Sequence, residues 1–75
     1  MGGYKIMKNI KLGELLQIIE PGEKICVKTT FNLFEGRVED FIEGREYENM
    51  EAIVSSVWKS ITYDSLFIEV IEVGL

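Results

Sequence analysis

Residues 65–73 read Ser-Leu-Phe-Ile-Glu-Val-Ile-Glu-Val, and no other segment limits the possible folds of this chain as strongly. Their β-branched and aromatic content marks a strand. Successive side chains of a strand point to opposite faces. Leu66, Ile68 and Val70 therefore share one face, and Phe67, Ile71 and Val73 share the other, which only Glu69 interrupts. A sheet covered by helices on one side should alternate apolar-in and polar-out, whereas both faces here are apolar. Residues 50–60 repeat the pattern, with Ile53 and Val57 opposing Val54 and Trp58, and Thr62-Tyr63-Asp64 reads as the connection of an antiparallel hairpin. The second face needs cover from another layer, a closed barrel or a second subunit.

Length decides how many layers the chain itself can supply. At 75 residues it is a single domain, 1–75, with residues 1–10 as an N-terminal extension and Met7 as an alternative start. A chain of this size buries only about 60% of its unfolded surface, so additional stabilisation is expected from outside the core. Hydrophobic content of 47% beside 28% charged residues belongs to a folded chain. Cys26 is the only cysteine and histidine is absent, so neither an intrachain disulfide nor a structural zinc site is available. Self-association remains as the natural supplement. A lone cysteine also fits a reducing cytoplasm, and no apolar run approaches the roughly 20 residues of a membrane span or forms a signal-peptide core.

Two shorter segments complete the pattern. Leu12, Leu15, Leu16 and Ile19 fall on one helical stripe, and Glu20-Pro21-Gly22-Glu23 ends it in a turn whose central Pro-Gly suits type II. From Lys24 to Thr30, Ile25, Val27 and Thr29 alternate with Lys24, Cys26 and Lys28, as in a half-buried strand. A reversal at Asn32 and a short return near Leu33–Glu35 follow. Val38, Phe41 and Ile42 then repeat the helical spacing before Gly44, a fitting helix cap. Residues 34–43 are equally readable as strand. The expected fold class is α+β, a small antiparallel sheet of three to four strands with two short helices; the alternative is an Sm-like small β-barrel with an N-terminal helix.

Chemistry is sparse. Without histidine, the candidates for catalysis are Cys26 and the carboxylates. Lys24 and Lys28 flank Cys26 and could lower its pKa, but no base partner is in view, and a packed strand residue is the simpler reading. Glu39, Asp40, Glu43, Glu46, Glu48 and Glu51 lie within thirteen residues without the spacing of a calcium loop, so they read as a solvated acidic docking surface. Trp58, Tyr63 and Phe67 can form a stacking platform or a hydrophobic hot spot. Only Lys59 stands nearby, which favours core or interface over nucleic acid. Residues 35–75 carry three basic against ten acidic groups, and such an excess repels phosphate.

Lys11-Leu12-Gly13-Glu14-Leu15-Leu16, Pro21-Gly22-Glu23-Lys24-Ile25-Cys26-Val27 and Leu33-Phe34-Glu35-Gly36-Arg37-Val38-Glu39-Asp40-Phe41 together resemble small proteins of low-GC Gram-positive bacteria and their prophages. That resemblance spans residues 11–73 and implies a cytoplasmic α+β module with no assigned activity. Gly36-Arg37-Val38-Glu39-Asp40-Phe41 is also similar to the G-x-V/L-x-x-F step of Sm-like RNA-binding barrels. Glu43 stands where that family has Asn, and its Ile/Leu-Arg-Gly element has no counterpart.

The sequence thus predicts a non-enzymatic cytoplasmic module of protein interaction or self-association, with no catalytic, metal or cofactor site and no membrane. Its expected interface is Trp58, Phe67, Ile71 and Val73, and its acidic docking surface Glu39, Asp40, Glu43, Glu46 and Glu48. The alternative function is an RNA-binding ring using Lys5, Lys8, Lys11, Lys24 and Lys28.

Overall fold

In the computed structural model, which describes residues 10–72, the first stripe folds as helix α1, Leu12–Leu16. Residues 1–9 and 73–75, and with them Lys5, Lys8, Val73 and all of the expected 1–10 extension except Ile10, lie outside the described residues. Leu12 and Leu16 are buried, Leu15 and Ile19 pack against the core from its margin, and the helix stops before reaching Ile19. Its first free amides are satisfied from elsewhere in the chain: Leu12 N–H donates to Ala52 O at 2.8 Å and Gly13 N–H to Met50 O at 3.0 Å. Gly13 eases that approach, because a Cβ there would lie a tight 3.2 Å from Met50 Cβ.

Glu23 N–H donates to Glu20 O at 3.0 Å and closes the turn at Pro21-Gly22. Only Gly44 among the described glycines has a positive φ, so this turn is not type II. Strands β1 (Lys24–Lys28) and β2 (Leu33–Arg37) form a hairpin whose loop is held by Thr29 and Asn32: Thr29 N–H donates to Asn32 O, and Asn32 N–H to Thr29 Oγ1. Helix α2, Val38–Ile42, follows directly. Residues 34–43 are thus strand and then helix. Val38 N–H and Glu39 N–H donate to Glu23 O and Pro21 O, so the first turn anchors the second helix. Gly44, at φ 78°, terminates it as expected.

Strands β3 (Ile53–Ser60) and β4 (Ser65–Ile71) are the terminal antiparallel hairpin. The four strands lie in the order β2-β1-β4-β3, an open sheet with both helices on one face. The α+β class with two short helices stands. The expected all-antiparallel arrangement gains one parallel pair, β1 with β4, and the Sm-like barrel alternative is corrected: the sheet has two edges and does not close. Strand β1 sits between β2 and β4 and buries Ile25, Cys26 and Val27 consecutively: Ile25 and Val27 under the helices, Cys26 among the side chains of the two flanking strands.

The inner face carries Ile25, Val27, Leu66, Ile68 and Val70, which meet Leu12, Leu16, Val38 and Phe41 of the helices. Tyr47 closes one end of this core, with its ring centroid 4.9 Å from that of Phe34 and its hydroxyl 2.5 Å from Glu72 Oε2.

Candidate interaction surface

Partners in a β-ladder share a face, so the register fixes what the side opposite the helices presents. Cys26 pairs with Glu35 on one side and Phe67 on the other, and Phe67 pairs with Trp58. One row of the open face therefore runs Glu35, Cys26, Phe67, Trp58. The next row runs Leu33, Lys28, Glu69, Ser56, and beyond it Ile71 pairs with Ile53.

A β-bulge at Ser55 corrects the sequence-based assignment of β3. Val54 opposes Val70 and Ser56 opposes Glu69, so Ser55 is an extra residue with no partner of its own. Strict alternation would set Ile53 with Val57; the extra residue instead sets Ile53 with Trp58 on the open face and Val54 with Val57 on the inner one. On the open face Ile53 thus takes the place that strict alternation would give Val54.

Three of the four expected interface residues lie on this face, Trp58 and Phe67 in contact and Ile71 beyond the Glu69–Ser56 row, and the fourth, Val73, lies outside the described residues. The Trp58 and Phe67 rings stack with centroids 5.4 Å apart at 16°. Tyr63, in the loop between β3 and β4, tilts onto Phe67 at 6.5 Å. Trp58 remains 43%, Ile71 54% and Tyr63 69% exposed, so the stack does not cover itself. Glu69, the one charge interrupting the apolar side of β4, is held by Lys28 Nζ at 3.7 Å and by Ser56 Oγ at 3.1 Å. Beside the stack, Lys24, Cys26, Glu35, Arg37, Tyr63 and Phe67 border an open concavity of 760 Å³. Leu33 and Ile53 also belong to this face and were missed from the sequence: the first depends on the pairing of β2, the second on the bulge.

Cys26 lies on the open face yet is only 4% exposed, between the side chains of adjacent strands. Burial first, and then the Glu35 carboxylate, push its thiol up from the ordinary value. The flanking lysines do not activate it: Lys28 is engaged with Glu69, and desolvation outweighs any help from Lys24.

The acidic segment is less bare than its composition. Arg45 folds into it and donates to Asp40 Oδ1 at 2.8 Å and to Glu43 Oε1. Hydrogen bonds from Arg45 and from the Arg37 N–H hold the Asp40 carboxyl below the usual carboxylate range. Glu39, Glu46 and Glu48 are exposed, and Glu51 pairs with Lys11 at 2.8 Å. Among the described residues no group of three or more histidine, cysteine or acidic side chains is placed to hold a metal ion. No described helix is long and apolar enough to cross a membrane. Of the five lysines of the ring reading, Lys5 and Lys8 lie outside the described residues, while Lys11 and Lys28 are ion-paired.

Compared with protein-family models, curated proteins and solved structures, the chain matches none of them.

Proposed function

We propose that this chain is a non-enzymatic protein-interaction module of the cytoplasm, that it self-associates through the β3–β4 hairpin, and that the acidic segment is a secondary docking surface. One observation carries the reading. The open face presents the stacked, part-exposed rings of Trp58 and Phe67 with Tyr63 tilted onto them, and beyond the Glu69–Ser56 row the pair Ile53 and Ile71; exposed aromatic and aliphatic side chains of this kind on a small domain mark an interaction surface. The raised thiol pKa of Cys26 and the absence of histidine weigh against catalysis at this face.

Light scattering behind size exclusion tests it. Twice the chain mass of 8.6 kDa is expected at tens of micromolar, with Trp58→Ser shifting the population toward monomer. A wild-type mass of 8.6 kDa throughout that range overturns the self-association.

A further inference from the structure

The hairpin offers two routes to a second copy, its open face and its outer edge, and the two edges of the sheet are unequal. Strand β2 is five residues long and carries Glu35 and Arg37. Charged and short edges resist pairing. Strand β3 is eight residues long and uncharged from Ile53 to Trp58. Ile10 and Lys11 cover only its beginning: Lys11 bridges Ile53, and Val54 N–H donates to Ile10 O at 2.9 Å. Among the described residues nothing pairs with the outer edge of residues 56–60.

From this asymmetry we infer that two copies join through antiparallel pairing of β3 with β3 about a two-fold axis, giving one eight-stranded sheet whose open faces lie on the same side; this rests on the self-association reading. An edge of alternating amides and carbonyls is complementary to its own copy in the antiparallel sense. A two-fold perpendicular to the sheet keeps side chains on their faces, so it must centre on a residue, and the middle of the free stretch offers Val57 or Trp58. Centred on Val57, the axis sets Ser56 against the partner's Trp58 and Ser55 against the partner's Lys59. Centred on Trp58, it sets the two indoles side by side and Val57 against the partner's Lys59. In neither register does Lys59 meet a like charge, and its ammonium is already engaged by Glu23 at 3.1 Å and Asp64 at 3.7 Å. For a chain of net charge −5 it also matters that β3 itself carries no carboxylate to oppose its copy.

Cross-linking distinguishes edge from face. Val57 pairs with Ile68 and so points to the inner side at the edge, whereas Ile71 is exposed on the open face. Wild type, whose only thiol is the buried Cys26, is the blank. With a short bis-maleimide, Val57→Cys is expected to give a covalent dimer and Ile71→Cys none. A dimer linked through 71 but not through 57 leaves self-association standing and overturns the edge pairing, as does a dimeric sample linked at neither position. A monomeric mass with no linkage overturns both. Hydrogen exchange on the wild-type chain is independent of any variant's folding. Edge amides among residues 56–60 should slow about tenfold between mostly monomeric and mostly dimeric concentrations. Protection that is absent, or equal at every dilution because residues 1–9 of the same chain occupy the edge, overturns the proposal.

Discussion

Phe41 shows how few residues hold a core of this size. It is fully buried on a five-residue helix that could not persist alone, so the helix exists because Phe41 and Val38 have somewhere to go. Phe41→Ala should cost about 3–5 kcal/mol, a large part of the stability of a domain this small. Urea titration followed by Trp58 fluorescence should find the midpoint collapsed, and a loss below about 1 kcal/mol would contradict the packing described. Tyr47 gives a pH dependence with a definite sign. Burial, and then the hydrogen bond to Glu72, push its hydroxyl well above the ordinary value of 10.0. The folded state therefore keeps a proton that the unfolded state releases, and the stability it lends is whole below pH 10 and is lost as pH rises further. Cys26 acts in the same sense, beginning nearer its ordinary 9.0. Across pH 10, wild-type stability should fall more steeply than that of Tyr47→Phe, which itself loses about 1 kcal/mol at neutral pH. Parallel slopes would rule out Tyr47 as the source. Glycine offers a cleaner pair: Gly44→Ala forces a side chain into positive φ and should cost about 1 kcal/mol, while Gly22→Ala, with open space around it and no positive φ, should be neutral or slightly stabilising.

The bulge is the element that most changes the surface, and its effect on phase can be tested directly. Ser55 is exposed, has no partner on β4, and contributes one hydrogen bond, from Oγ to Glu69 O at 3.1 Å. Deleting Ser55 leaves Ile53, Ser56 and Trp58 on the open face and Val54 and Val57 on the inner one in simple alternation. The deletion variant should thus fold cooperatively with Trp58 emission unchanged and a stability loss of at most about 1 kcal/mol; a scrambled or molten product would mean that the bulge itself sets the register. Sequence pattern could not place it, because Ser55-Ser56 carries no hydrophobic signal and strict alternation is the default. Where one local force dominated, the reading was sound: the Val38, Phe41 and Gly44 spacing became α2 with its cap, and Asn32 turned the first hairpin. The helix of the Leu12 stripe is shorter than its periodicity, since the chain must already bend toward the turn at Pro21 while Ile19 still reaches the core from outside the helix. The parallel pairing of β1 with β4 had only a weak local signal, because it depends on which strand fills the gap after both hairpins have formed: the apolar run Ile25-Cys26-Val27 suits a central strand, but Lys24 and Lys28 around it read as the alternation of a half-buried one.

At the scale of the whole molecule, the apolar face and the charge oppose each other. Two copies of a chain with net charge −5 repel before they touch, and most of that charge lies in residues 35–75, the part that also contains the hairpin. Ion pairing inside each chain, Arg45 with Asp40 and Glu43 and Lys59 with Glu23, reduces the local field without cancelling the total. If apolar contact and β3 pairing join the copies, added salt screens the repulsion and removes nothing that holds them together. The Debye length shrinks from about 30 Å at 0.01 M to about 8 Å at 0.15 M, within the span of this small domain. Sedimentation at constant protein concentration should therefore show the dimer fraction rising with sodium chloride across that range. A fraction that falls would assign the association to the acidic segment meeting lysines of the second copy, and would move the interface from the hairpin to residues 39–51.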